Sequence, residues 1–121
     1  MRLLKTAFVA LALVSAPVIA QDCSGPEVPA IPDGATSTYN QMIEGMGAVN
    51  SFKAANIEYM KCLDALSDAA KAPAKEGNVL DDAKAELSAL DAKYNDAVSN
   101  EERLAGQFNA EIRAYKETNP E

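Results

Sequence analysis

Between Gly34 and Pro120 the helical patterning of this chain has a single strong break, the stretch APAKEGN at residues 72–78. Pro73 has no amide hydrogen with which to continue a helix, and Gly77 and Asn78 tolerate left-handed backbone. On either side of the break, the candidate core positions recur at alternating steps of three and four, the heptad period. Before it the row reads Met42, Gly45, Val49, Phe52, Asn56, Tyr59, Leu63, Leu66 and Ala70. After it the row reads Leu80, Ala83, Leu87, Leu90, Tyr94, Ala97, Glu101, Leu104, Phe108, Glu111 and Tyr115. Two helices joined by a short connection pack as antiparallel neighbours. The expected fold is therefore all-α, an antiparallel, coiled-coil-like two-helix hairpin.

The helix bounds follow from local chemistry. Thr38-Tyr39-Asn40-Gln41 has the form of a capping box, a hydroxyl followed three residues later by an amide side chain. The first helix is expected over about 38–72 and the second over about 79–117, each some 50–60 Å long at about 1.5 Å per residue. Folding the chain about residue 75 pairs positions whose numbers sum to about 150. That register sets Leu63 beside Leu87, Phe52 beside Val98, Met42 beside Phe108 and Asn56 opposite Tyr94. It also brings Gly45 and Gly47 to Ala105 and Gly106, where small side chains would let the two backbones approach closely. Glu101 and Glu111 interrupt the second row, with Val98 and Ile112 beside them to supply apolar surface.

The N-terminal 20 residues, MRLLKTAFVALALVSAPVIA, read as a removable leader. Arg2 and Lys5 precede an apolar run from Ala7 to Val14, Pro17 breaks that run, and the segment ends on the small residue Ala20. This is the layout of a secretory signal peptide, too short to span a bilayer. Asp22 before Cys23 fits lipoprotein processing badly. The expectation is cleavage after Ala20, no stable membrane anchor afterwards, and a periplasmic or secreted product. The whole chain has 11 Lys and Arg against 18 Asp and Glu. Loss of Arg2 and Lys5 leaves nine bases against 18 acids, a net charge of −9. Such a chain repels phosphate backbones, so nucleic acid is not an expected partner.

Export would place both cysteines, Cys23 and Cys62, in an oxidising compartment. One intramolecular disulfide is then possible, with an intermolecular bridge or free thiols as the rivals. Cys23 opens the stretch CSGPEVPAIPDG, in which Pro26, Pro29 and Pro32 recur every third residue. Polyproline II has that same period and rises about 3.1 Å per residue, so the prolines would line one edge of an extended strap. Ser24–Ser37 would span about 43 Å in this form. The helical distance from Thr38 to Cys62 is about 36 Å. With a bend at Asp33-Gly34, the strap can fold back along the first helix and reach Cys62. Ala48, Ser51 and Ala55 form a shallow channel on the Cys62 face, expected to receive it, while Val28 and Ile31 offer apolar contacts. Closing a loop of about 40 residues stabilises the fold by roughly 4 kcal/mol in the chain-entropy model. The chain thus divides into a leader at 1–20, a proline-rich strap at 21–37 stapled by a Cys23–Cys62 disulfide, and a helical hairpin at 38–121.

Cys23, the IPDGA stretch at 31–35, Met42, Val49, Tyr59 and Cys62-Leu63-Asp64 together resemble a group of small exported helical proteins of Gram-negative bacteria. The resemblance covers residues 1 to about 66. It implies an exported location and a long helix carrying the second cysteine, and it implies no activity.

No catalytic constellation is visible. The chain has no histidine to serve as a base or a metal ligand near neutral pH. It has no phosphate-cradling glycine loop and no nucleophile motif. Asp81-Asp82 and Glu101-Glu102 are adjacent on helices, about 100° apart, so neither pair converges as a dyad or a calcium loop. The sequence predicts no enzyme, no cofactor and no metal site. It predicts a protein-interaction or structural module with an unknown protein partner, or one that pairs with itself as a four-helix bundle. The alternative is an acidic cation-binding or envelope stress-response protein, whose structure would respond to calcium or acid.

Overall fold

The computed structural model describes residues 22–72 and 81–121 of the chain. The leader, the Pro73–Asn78 turn and the side chains of Asp81 and Asp82 lie outside that description. Two long helices, α1 (Tyr39–Lys71) and α2 (Asp81–Thr118), pack against each other, and no strand occurs among the described residues. The predicted hairpin is the observed one, with each helix boundary within two residues of expectation.

α1 begins where its capping box requires. The Gln41 N–H donates to Thr38 Oγ1 at 3.2 Å, and the Thr38 N–H donates to Gln41 Oε1 at 2.8 Å. Two orphan amides of the first turn are thereby satisfied. All six buried residues of α1, Met42, Gly45, Val49, Phe52, Asn56 and Leu63, belong to the predicted heptad row. On α2 the buried Leu90, Ala97, Leu104 and Phe108 do too. Met42, Val49, Phe52, Leu104 and Phe108 form one core cluster, against which Ile31, Ile112 and Tyr115 pack.

Met42 and Phe108 share the core cluster as expected, but the register elsewhere differs from the expected one. Asn56 Nδ2 donates to the Ala97 carbonyl and to Glu101 Oε2, both at 3.0 Å, rather than facing Tyr94. Gly45 faces the Phe108 ring rather than Ala105 or Gly106. The partners Asn56 and Ala97, and Gly45 and Phe108, have numbers that sum to 153 rather than about 150, so the pairing slides about three positions along α2. Asn56 still supplies the polar pairing within the seam, but to a backbone carbonyl and a carboxylate. The expected close approach of the two helices through their glycines is also absent. A Cβ on Gly47 or on Gly106 would meet nothing within 4 Å.

The strap lies along the hairpin as an extended segment. Cys23, Pro26, Pro29, Ile31 and Pro32 are half-buried, whereas Ser24, Gly25, Glu27, Val28 and Ala30 are exposed. The prolines form the seated edge, as a three-residue period demands. Ile31 reaches the core and Val28 does not, because its side chain points off that edge. Successive strap residues meet α1 in descending order. Cys23 bonds Cys62 with a Cα–Cα distance of 5.7 Å, Gly25 lies against the Tyr59 ring, and Pro32 sits on Gly45. From Cys23 to Pro32 the strap rises about 28 Å as polyproline II, and from Cys62 to Gly45 the helix rises about 26 Å. The two repeats stay in step over the whole contact.

Of the expected channel on α1, only Ala48 lies by the strap, half-buried and lining a shallow cleft with Ala30, Ile31 and Pro32. Ser51 and Ala55 are exposed, and the strap instead contacts Gly45 and Tyr59 of the heptad row and, through Gly34, the backbone of α2. A groove between two helices has two walls, so it buries more of an extended segment than the flank of one helix does.

Candidate functional site

The hairpin has two long faces, and the strap covers one of them. Its bend is built from Asp33. The Ala35 N–H donates to Asp33 Oδ1 at 2.9 Å, and the Ser37 N–H donates to the Asp33 carbonyl at 2.9 Å. Beside this turn Gly34 is buried, and its N–H donates to Glu111 Oε2 at 2.7 Å. The bond joins residues 77 apart and fastens the bend to α2. Gly34 must be glycine for steric reasons, because a Cβ there would overlap the Glu111 carbonyl and lie 2.9 Å from the Tyr115 nitrogen. Gly45 is small for a related reason. A Cβ on it would come within 2.6 Å of Pro32 Cδ.

The two glutamates that interrupt the α2 row therefore have structural partners. Glu111 accepts from the strap and Glu101 accepts from Asn56, and both are half-buried. Glu102 is exposed, whereas Glu101 reaches into the seam to Asn56. Among the described residues no group of three or more His, Cys, Asp or Glu converges as a metal site, and no helix is long and apolar enough to cross a membrane.

The other long face is bare. Tyr39, Ile43, Met46 and Ile57 follow one another along α1 and remain 64%, 43%, 44% and 46% exposed. At the open end of the hairpin, Tyr39, Ile43 and Met46 face Ile112 and Tyr115 across a groove of about 720 Å³ floored by Met42 and Phe108. Further along, a shallower cleft of about 370 Å³ has Lys53 and Met60 on the α1 wall and Tyr94, Val98, Glu101 and Glu102 on the α2 wall.

Of the site residues read from the sequence, Cys23 and Cys62 are brought together as one intramolecular disulfide. The bond is consistent with an oxidising compartment. Sequence reasoning placed a bend at Gly34 but missed its bond to Glu111, and it missed which residues form the bare row. The row did leave a signal, since Tyr39, Ile43, Met46, Lys53, Ile57 and Met60 keep heptad spacing beside the core row. Comparison of the chain with protein-family models, curated proteins and solved structures gives no match.

Proposed function

We propose that this chain is an exported, non-enzymatic docking module that works in the periplasm or outside the cell. One observation carries the reading. The strap closes one side of the hairpin, while the opposite side keeps large apolar side chains, Tyr39, Ile43, Met46 and Ile57, in solvent. Leaving such residues exposed forgoes the burial that stabilises a small domain, roughly 1.5–3 kcal/mol for each side chain fully covered. A partner that covers this row recovers that free energy on binding. Methionine suits the purpose, since its unbranched thioether adapts to irregular surfaces. Export is supported by the leader-like N-terminus and by the disulfide, and the non-enzymatic reading by the lack of histidine.

The test is site-specific photo-crosslinking in the cell that makes the protein. A photoreactive side chain at Ile43 or Met60 is expected to give covalent adducts, and one at Ser51 or Ala55, on the outer flank of α1, is expected to give none. Equal adducts from both sets, or none from either, would overturn the docking reading. Export is checked separately by N-terminal sequencing of the envelope fraction, which should begin at Gln21.

A further inference from the structure

We infer that the occupant of the bare face is a second copy of this chain, related by a two-fold axis parallel to the helices, so that two hairpins form a four-helix bundle with both straps outside. The inference rests on the docking reading and deepens it by naming the partner.

The first argument is the level of the charges. Lys53 on α1 and Glu101 and Glu102 on α2 line the same cleft. Along α1, Met46 lies on one side of that level and Met60 on the other. Along α2 the neighbours are Ile112 on one side and Tyr94 on the other, with Lys116, Asn119 and Glu121 beyond Tyr115 at the open end. At mid-height the face thus carries a cation on the α1 wall and anions on the α2 wall, while at the open end the α2 wall adds one charge of each sign, Lys116 and Glu121. A two-fold axis running along the hairpin lays α1 of one copy over α2 of the next at unchanged height. Lys53 then meets Glu102 of its neighbour, twice per dimer, and the Met46 and Met60 levels of α1 meet the Ile112 and Tyr94 levels of α2. The inverted arrangement, with the axis across the helices, centres on the middle of the row near Asn50. It would set Lys53 against Met46 and leave the charge facing apolar surface, which is costly. Lys53 makes no ion pair within its own chain among the described residues, so its ammonium is available to the neighbour.

The second argument is the overall charge. The chain is acidic, with a net charge of −7, so most of its surface repels a second copy. The exposed row of α1 from Tyr39 to Met60, stepped at three and four, contains no acid. Two copies can meet there without stacking carboxylates.

The third argument is size. The row from Tyr39 to Met60 is about 32 Å long, and two helices side by side are about 20 Å wide. The footprint is therefore about 640 Å² in projection, and corrugation raises its accessible area toward the roughly 800 Å² per partner of a stable interface.

The test uses the oxidised protein and two charge reversals, Lys53→Glu and Glu102→Lys. Light scattering from micromolar to millimolar concentration is expected to give twice the chain mass for the parent. Each reversal alone is expected to weaken dimerisation by about tenfold or more, because like charges then meet at both symmetry-related contacts. An equimolar mixture of the two variants is expected to dimerise again, since each mixed contact pairs opposite signs. That recovery can arise only between molecules. A parent that stays monomeric throughout, or a mixture no more associated than its components, overturns the inference. If Ile43 and Met60 then still crosslink, to a protein other than this chain, the docking reading survives and only the identity of the occupant fails.

Discussion

Substituting alanine at three glycines gives opposite outcomes that can be worked out from the geometry. At Gly34 the added methyl would overlap the Glu111 carbonyl oxygen, lie 2.7 Å from its carbon and 2.9 Å from the Tyr115 nitrogen. These are backbone atoms inside α2, held by the helical ladder, so the strap must lift instead. Overpacking of this kind costs about 1–3 kcal/mol. Lifting also breaks the Gly34 N–H bond to the Glu111 carboxylate, worth about 1.5 kcal/mol at the low end for a charged acceptor that is only half-buried. The two losses are one event and do not simply add. Alanine also restricts the unfolded chain, which returns about 0.4–1 kcal/mol. The net expectation for Gly34→Ala is a loss of about 2 kcal/mol, a fall in Tm of about 8–16 °C for a domain near 100 residues. At Gly47 and Gly106 the methyl meets nothing within 4 Å. Helix propensity then acts alone, and each substitution should stabilise by up to about 1 kcal/mol. Thermal and urea unfolding of the oxidised protein, followed by far-ultraviolet circular dichroism, measures all three. If Gly34→Ala lies within about 0.5 kcal/mol of the parent, the ordinary range for featureless surface sites, the seating of the bend on α2 is wrong.

Glu111→Ala should cost about 1–2 kcal/mol and Glu111→Gln distinctly less, since glutamine retains an acceptor for Gly34; equal losses in urea unfolding would show that the bond contributes nothing. Asn56→Ala should cost about 1–3 kcal/mol, because it opens space in the seam and strips Glu101 of its donor, and a calorimetric loss below that range would argue against the pairing. Replacing both cysteines by serine should lower stability by roughly 4 kcal/mol, read from denaturant midpoints against the oxidised parent, and no loss would refute the strap as a constraint on the unfolded chain. Thr38→Ala should cost about 1 kcal/mol through the lost cap, with fraying of the first turn visible by amide exchange.

The sequence by itself determined the local structure. Thr38 and Gln41 start α1 through bonds three residues apart. The alternation of threes and fours selects which side of each helix is buried, and Met42, Phe52, Leu63, Leu90, Leu104 and Phe108 all follow it. The proline period sets the edge on which the strap lies, and the match of its rise to that of the helix makes the reach to Cys62 arithmetic. These features depend on neighbours within a few residues or on fixed repeats, so they can be read along a line.

Only the tertiary structure decided how the lines lie against each other. A slip along α2 moved the partners of Asn56 from Tyr94 to Ala97 and Glu101, because register depends on where the turn is centred and both rows tolerate a shift. The strap settled into the inter-helix groove rather than on the flank formed by Ser51 and Ala55, since a second wall exists only once α2 is in place. Gly34 and Glu111, 77 residues apart, have no local pattern that announces their bond. The same holds for the bare face. Periodicity marks a second apolar row on α1, but whether it is covered depends on which side the strap takes, and the strap seats on the other side through Gly34, Pro32 and Cys23.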